Sequence, residues 1–189
     1  MKLSRNFYSR DTEKVAKELL GKILVHKTDG GVLKGKIVET EAYFGKRDPA
    51  SHAYRKKTKR NFLMFEAPGK VYVYFCYGNY WLFNIVAKEN ENPGAVLVRA
   101  LEPIEGIEIM KKNRGVDDVH NLTNGPGKLT EAFGIAKEQN GLDLTESNIF
   151  LQDSNEEIEI VKAKRIGISK GKSKLLRFYI KDNGFVSKM

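Results

Sequence analysis

Three residues of one short stretch stand out for the chemistry they can do. In VETEAY, Glu39, Glu41 and Tyr43 alternate, and in a β-strand that period puts all three side chains on one face. Two carboxylates sharing a face are expected where they are solvated, bind a metal or catalyse a reaction. His52 lies on the following loop, and Arg99 interrupts an otherwise apolar segment, AVLVRAL. A guanidinium in such a strand calls for a carboxylate partner. Each residue also has a plain structural account: a wet edge strand for the glutamates, an ordinary loop histidine, and a structural ion pair for Arg99. A metal site of His52, Glu39 and Glu41 is a further reading, but the sequence has no HExxH or similar tight spacing, and His26 and His120 fall in unrelated segments. There is no GxSxG elbow for a serine nucleophile. Cys76, the only cysteine, sits mid-strand among aromatics and reads as core. What remains is a carboxylate general base, an arginine to position it, and the rings of Tyr43, Tyr74, Tyr77, Tyr80 and Trp81. That set suits hydrolysis at a sugar carbon through an oxocarbenium-like transition state, with the rings stacked on the leaving group.

The charge balance bears on what the leaving group is. Of 189 residues, 33 are Lys or Arg and 24 are Asp or Glu, for a net charge of +9. This excess favours a polyanionic partner, and nucleic acid ranks ahead of an anionic membrane because no basic amphipathic helix stands out. The leaving group would then be a nucleobase. The densest basic cluster, RKKTKR (55–60), reads equally as a solvated loop or as a phosphate contact. The length and a 41% hydrophobic content fit a single domain over 1–189. No apolar run approaches the ~18 residues of a membrane span, and the opening MKLSRNFYSRD has no apolar signal core. A reducing, cytoplasmic setting is therefore expected.

The elements that must hold these residues follow from pattern. KVYVYFCYGNYWLFNI (70–85) is the densest aromatic stretch, and alternation on both sides of Gly78-Asn79 predicts a β-hairpin with a two-residue loop. Tyr77 at the lip of that turn reads either as part of a core hairpin or as a wedge for a base stack. A second hairpin is predicted about Asp29-Gly30-Gly31, joining ILVHK to VLKGKIVETEAY. Asp11 caps a helix through Leu20 that ends at Gly21. Glu102-Pro103 is expected to open a helix to about Arg114, with Ile104, Ile107 and Met110 inward. NGPGKLTEAFGIA (124–136) reads as a Gly-rich loop feeding a short helix, where Lys128 is positioned to hold a phosphate. Short strands in IFLQD, EIEIVKAKRIGI and LLRFYI complete the chain.

In this order, KIVETEAYFG, RNFLMF, GKVYVYFCYGNYWLFNI, VLVRALEPIEG, NGPGKLTEAFGI and LRFYI resemble the 3-methyladenine (alkyladenine, N-methylpurine) DNA glycosylase family. The resemblance runs from about Asn6 to Val186. It implies a mixed α/β (α+β) fold with a curved, mostly antiparallel sheet, surrounding helices and a protruding hairpin. It implies a monofunctional glycosylase that flips alkylated or deaminated purines from double-stranded DNA and hydrolyses the N-glycosidic bond, initiating base excision repair. Roles carry over by position. Glu41 matches the general base, while Arg99 and the backbone carbonyl of Ile166 match the groups that help hold the attacking water. Tyr43 matches the ring stacked on one face of the extruded base, with His52 and Tyr74 against the other. Asn84 abuts the purine edge and disfavours a 2-amino group, and Tyr77 fills the gap left in the duplex. Glu39 is expected to be structural and paired with a cation. The family uses no metal or organic cofactor, and with no second catalytic lysine, strand cleavage is not expected. A monomer is implied, cytoplasmic and at the nucleoid in a bacterium or nuclear in a eukaryote. The chain departs from the family in Ser169–Lys174 (SKGKSK), shorter and richer in lysine than the usual Trp-containing segment beside the pocket. Two other classes remain open: a non-catalytic nucleic-acid-binding module that keeps the stacking hairpin, and a carbohydrate glycoside hydrolase using Glu39 and Glu41.

Overall fold

The computed structural model describes residues 1–189 apart from Tyr77, Asn155 and Met189. Its helices are α1 (Arg5–Tyr8), α2 (Thr12–Glu18), α3 (Ile107–Arg114) and α4 (Pro126–Ala132). Its strands are β1 (Ile23–Thr28), β2 (Gly31–Phe44), β3 (Val71–Cys76), β4 (Tyr80–Val86), β5 (Gly94–Glu105), β6 (Ile149–Gln152), β7 (Ile160–Ala163) and β8 (Arg177–Ile180). The eight strands form one antiparallel sheet in the order β3-β4-β5-β2-β1-β6, with β8 added to β2 and β7 to β8. This is the α+β arrangement that the sequence resemblance implies.

The sheet branches at β2. One edge of that strand pairs with β5 along nearly its whole length. The other edge pairs first with β1, through Gly31–Lys36, and then with β8, through Glu39–Glu41. Where the edge changes partner the β2–β5 register slips and recovers: Ile37 faces Leu101, Glu39 faces Ala100 and Thr40 faces Val98. Val38 is thus the extra residue on β2, and Arg99 the extra residue on β5. Paired bulges of this kind bend the strands and re-aim side chains.

Period-2 alternation then gives β2 two different faces. Thr40 donates its hydroxyl to the Ala16 carbonyl at 2.8 Å, and Val38 and Ala42 join Val15, Ala16 and Leu19 in the main core. Helix α2 therefore packs on that face, started as expected by Asp11, whose carboxylate accepts from the Glu13 and Lys14 amides. Glu39, Glu41 and Tyr43 point the other way. A smaller cluster of Ala53, Leu63, Met64, Tyr72, Val86 and Ala95 supports the outer part of the sheet. Helix α4 lies against β4, with the Thr130 hydroxyl on the Trp81 carbonyl at 2.8 Å.

Two local expectations are corrected. Glu102-Pro103 does not open a helix: β5 continues to Glu105, with Pro103 opposite Gly35. Leu101 turns its amide away from β2 to the Thr123 carbonyl, and Pro103, two residues on, has its nitrogen on that same side. Its missing N–H therefore costs no ladder bond. Ile104 is half exposed rather than inward. The helix begins only after Gly106, whose φ of 80° turns the chain into α3, where Met110 is buried and Ile107 packs on the core. The aromatic hairpin forms, but Cys76 pairs with Tyr80, so the connection has three residues (77–79) rather than two. The wedge assignment of Tyr77 falls outside the described residues.

A Cβ at Gly106 would also meet Leu33 Cδ2 at 2.5 Å and the Val32 carbonyl at 2.7 Å. Left-handed strain and the clash add, so Gly106→Ala should cost about 2–4 kcal/mol, measured as a lower midpoint in urea with an unchanged slope.

Candidate active site

The ionic centre of the site is built by strand pairing. Glu39 and Glu41 are both fully buried on β2. Arg99, from the bulge in β5, places Nε 3.0 Å from Glu39 Oε1 and Nη1 3.3 Å from Glu41 Oε1. Arg177, from β8 on the other side, donates Nη1 to Glu39 Oε1 at 2.9 Å. The remaining oxygen of Glu39 accepts the Ser187 amide at 2.7 Å. Glu39 is therefore neutralised by two guanidinium groups and held by an amide, as expected of a structural carboxylate paired with cations.

Glu41 is held differently. The Ile166 amide donates to Oε1 at 2.8 Å, and the Tyr43 hydroxyl donates to Oε2 at 2.7 Å. Burial pushes its pKa above the usual glutamate value, while Arg99, the Ile166 N–H and the Tyr43 hydroxyl act in the opposite direction. The three neighbours that favour its ionised form all line a cavity of about 560 Å³. Glu41 itself sits directly behind that wall.

The other predicted residues face the same cavity. Tyr43, His52, Tyr74 and Asn84 line it together with Arg99 and Ile166. Asn84 is buried, and its Nδ2 donates to the Tyr72 and Leu82 carbonyls at 3.1 and 3.3 Å, which sets the amide's orientation. The His52 and Tyr74 rings meet at 4.6 Å, tilted by 67°. Desolvation by the surrounding rings lowers the His52 pKa, and the charge of Arg60 lowers it further, which favours the neutral ring. From Ile166 the structure brings the backbone amide to Glu41; the predicted role was for its carbonyl.

Four contributors had no usable signal in the sequence. Tyr72, in the aromatic run, is buried behind His52 with its hydroxyl 2.9 Å from Nδ1, and burial pushes the phenol pKa up to about 12. Arg177 belongs to a strand that reads only as a closing strand. Asp48 and Arg165 form a fully buried two-pronged pair at 2.6 and 2.7 Å. Arg165 also donates to the Ala42 carbonyl at 2.9 Å and lies 4.6 Å over the Tyr43 ring. It thereby backs the Tyr43 ring and is next in sequence to Ile166. These partners are 117 positions apart, and no local pattern links them.

The three side chains weighed as metal ligands are not gathered into one: arginines engage both carboxylates, and the His52 Nδ1 faces Tyr72. Lys128 lines the cavity, with its ammonium on the amide oxygens of Asn121 and Asn124. The basic run 55–60 is exposed throughout. It is tied to the site by Asn61, whose Nδ2 bonds the His52 and Lys56 carbonyls at 2.7 and 3.0 Å, and by Arg60, which lies 5.4 Å over the Tyr74 ring.

Removing one member of a buried ion pair leaves an uncompensated charge. Asp48→Ala should therefore cost about 3–5 kcal/mol, read from equilibrium unfolding in urea.

This arrangement, a buried carboxylate behind an aromatic cavity with a basic rim, can be set beside known proteins. Residues 6–184 match the model of the methylpurine-DNA glycosylase family. A protein of Prosthecochloris aestuarii is 52% identical over 187 residues, covering 97% of this chain and 90% of the relative. One from Clostridium novyi is 50% identical, with 99% and 98% covered, and one from Carboxydothermus hydrogenoformans is 49% identical, with both chains fully covered. Each of the three is provisionally named a 3-methyladenine DNA glycosylase. The chain belongs to the methylpurine-DNA glycosylase family.

Proposed function

We propose that the protein is a monofunctional DNA glycosylase that excises alkylated or deaminated purines of the 3-methyladenine, 7-methylguanine and hypoxanthine type. The observation that carries this reading is Glu41, buried behind the wall of an aromatic cavity and held by Arg99, Tyr43 and the Ile166 amide. Among the described residues each carboxylate oxygen accepts one hydrogen bond, Oε1 from the Ile166 amide and Oε2 from the Tyr43 hydroxyl, and Arg99 Nη1 lies 3.3 Å from Oε1. Glu41 therefore keeps acceptor capacity to spare for the attacking water.

The reaction runs as follows. The damaged nucleotide leaves the helix at a cost of a few kcal/mol, least for damaged or mispaired bases, and its base enters between Tyr43 and the His52–Tyr74 pair. Glu41 takes a proton from water as the water oxygen bonds to C1′. The glycosidic electron pair leaves with the base, and the sugar remains as an abasic site. A cationic alkylpurine departs as a neutral base and needs no proton. The electron-rich rings favour such a cation by ~1–2 kcal/mol or more per desolvated contact, and a neutral His52 adds no repulsion. Exposed Lys and Arg of 55–60 contact the DNA backbone, a term that weakens with salt.

The test uses duplexes with one 7-methylguanine or one hypoxanthine, incubated with protein in EDTA and then split, half heated in alkali. Breaks only after alkali are expected for metal-free base removal without strand cleavage. Tight lesion binding with no breaks would favour a binding module instead. Turnover of a carbohydrate glycoside instead of DNA would favour the hydrolase reading, although Glu39, buried against two arginines, is poorly placed as its acid. Glu41→Gln should lower excision by at least about 100-fold and retain lesion binding. Because burial raises the Glu41 pKa, the carboxylate form is lost as pH falls through that raised value. The acid limb of 7-methylguanine excision should therefore lie above the ~4.3 of an ordinary glutamate; a limb at or below it would sink the assignment.

Tyr77 is assigned the wedge. Tyr77→Ala should weaken lesion-DNA binding by ~1–3 kcal/mol, and a variant that binds and excises like the wild type would refute that role.

A further inference from the structure

The segment that follows β8 comes back under the ionic centre, where catalysis by Glu41 does not call for it. The Ser187 amide donates to Glu39 Oε2 at 2.7 Å. The Ser187 hydroxyl lies 3.4 Å from Arg99 Nη2, and the Lys188 carbonyl accepts Arg177 Nη1 at 2.7 Å. A turn delivers it: the Asn183 Oδ1 accepts the Phe185 amide at 2.9 Å, and its Nδ2 bonds Glu102 Oε2 at 2.8 Å. One short backbone stretch therefore touches Glu39, Arg99 and Arg177, and each of these bears on how much of Arg99 is left for Glu41.

We infer that the segment 183–188 is a positioning element for catalysis: by satisfying Glu39 from below, it leaves the Arg99 guanidinium shared with Glu41. This rests on the reading of Glu41 as the general base. Glu39 and Glu41 compete for one guanidinium, Nε on the first and Nη1 on the second. A buried carboxylate that loses a donor draws harder on those that remain. Without the Ser187 N–H, Glu39 pulls Arg99 toward itself and Glu41 is left less compensated.

The groups facing Glu41 are Arg99 from β5, Arg177 opposite it on β8, Tyr74 from β3, Arg165 beside Ile166, and Glu39 and Tyr43 on its own strand. Only Arg99 is both in contact with the Glu41 carboxylate and tied, through Glu39, to the Ser187 amide. Weakening its contact favours the protonated acid, so Glu41 ionises at a higher pH.

The experiment compares Ser187→Pro, which deletes the N–H, with Ser187→Ala, which keeps it, in the full chain. Single-turnover release of 7-methylguanine is followed against pH, and binding is measured with a duplex carrying a tetrahydrofuran abasic analogue. Ser187→Pro should slow excision about 10- to 100-fold, as small misplacements at a reacting centre do. It should also move the acid limb to higher pH and leave analogue binding within about twofold. Ser187→Ala, which loses only the 3.4 Å contact of the hydroxyl with Arg99, should change rate and limb much less than Ser187→Pro. A wild-type rate and limb in a folded Ser187→Pro protein would overturn the inference, as would losses equal in binding and in rate. If that variant does not fold, Asn183→Ala, which loosens the turn without touching the ionic centre, decides it: a limb moved upward supports the role and an unmoved limb overturns it. Failure of the wild type itself to release base would count against the glycosylase reading instead.

Discussion

The structure depends on two carboxylates buried side by side on one strand. Taking an ion out of water costs about several kcal/mol even after relaxation, so Glu39 and Glu41 can be buried only if donors reach both. Strand β2 solves this by pairing along both edges at that point, with β5 supplying Arg99 and β8 supplying Arg177. The paired bulges at Val38 and Arg99 sit where the demand is greatest. A regular ladder would be the stronger sheet; here its irregularity serves to aim a guanidinium.

Two identical side chains two residues apart acquire different work from this setting. Glu39 faces two guanidinium groups and accepts a backbone amide. Glu41 has one shared cation, one amide and one phenol, and stands behind the wall of a cavity. Burial makes it costly to ionise, and Arg99, the Ile166 amide and the Tyr43 hydroxyl offset part of that cost. The second buried pair, Asp48 with Arg165, supports the wall in front of Glu41: Arg165 lies over the Tyr43 ring, and its neighbour Ile166 presents the amide that Glu41 accepts.

Around this centre the positive charge is graded by depth. The buried arginines each have a carboxylate partner, whereas the cations of 55–60 are exposed, with Lys57 on Glu66 and Arg60 on the Phe75 carbonyl and the Tyr74 ring. The inner cations shape the pocket, and the outer ones are available to a polyanion. Asn61 couples the two layers, because the side chain that ties down the basic loop also bonds the His52 backbone.

Much of this was legible in the chain itself. Alternation placed Glu39, Glu41 and Tyr43 on one face, a lone arginine in an apolar strand announced a carboxylate partner, and aromatic periodicity marked the β3–β4 hairpin. These signals are local, since they depend on backbone period and on the cost of burying a charge. Local preference misled where tertiary pairing overrode it. Glu102-Pro103 has the form of a helix start, yet β5 runs through it because the proline nitrogen points away from β2 and Gly106 makes the turn. The division of labour between Glu39 and Glu41 had no signal in the strand, because it is decided by Arg177, Ser187 and Ile166, all more than 120 residues away in the chain. The same holds for Asp48 with Arg165 and for Tyr72 behind His52. Spacing along a strand determined which side chains share a face; only the folding of distant segments onto that strand decided which carboxylate met two arginines and which met one beside the cavity wall.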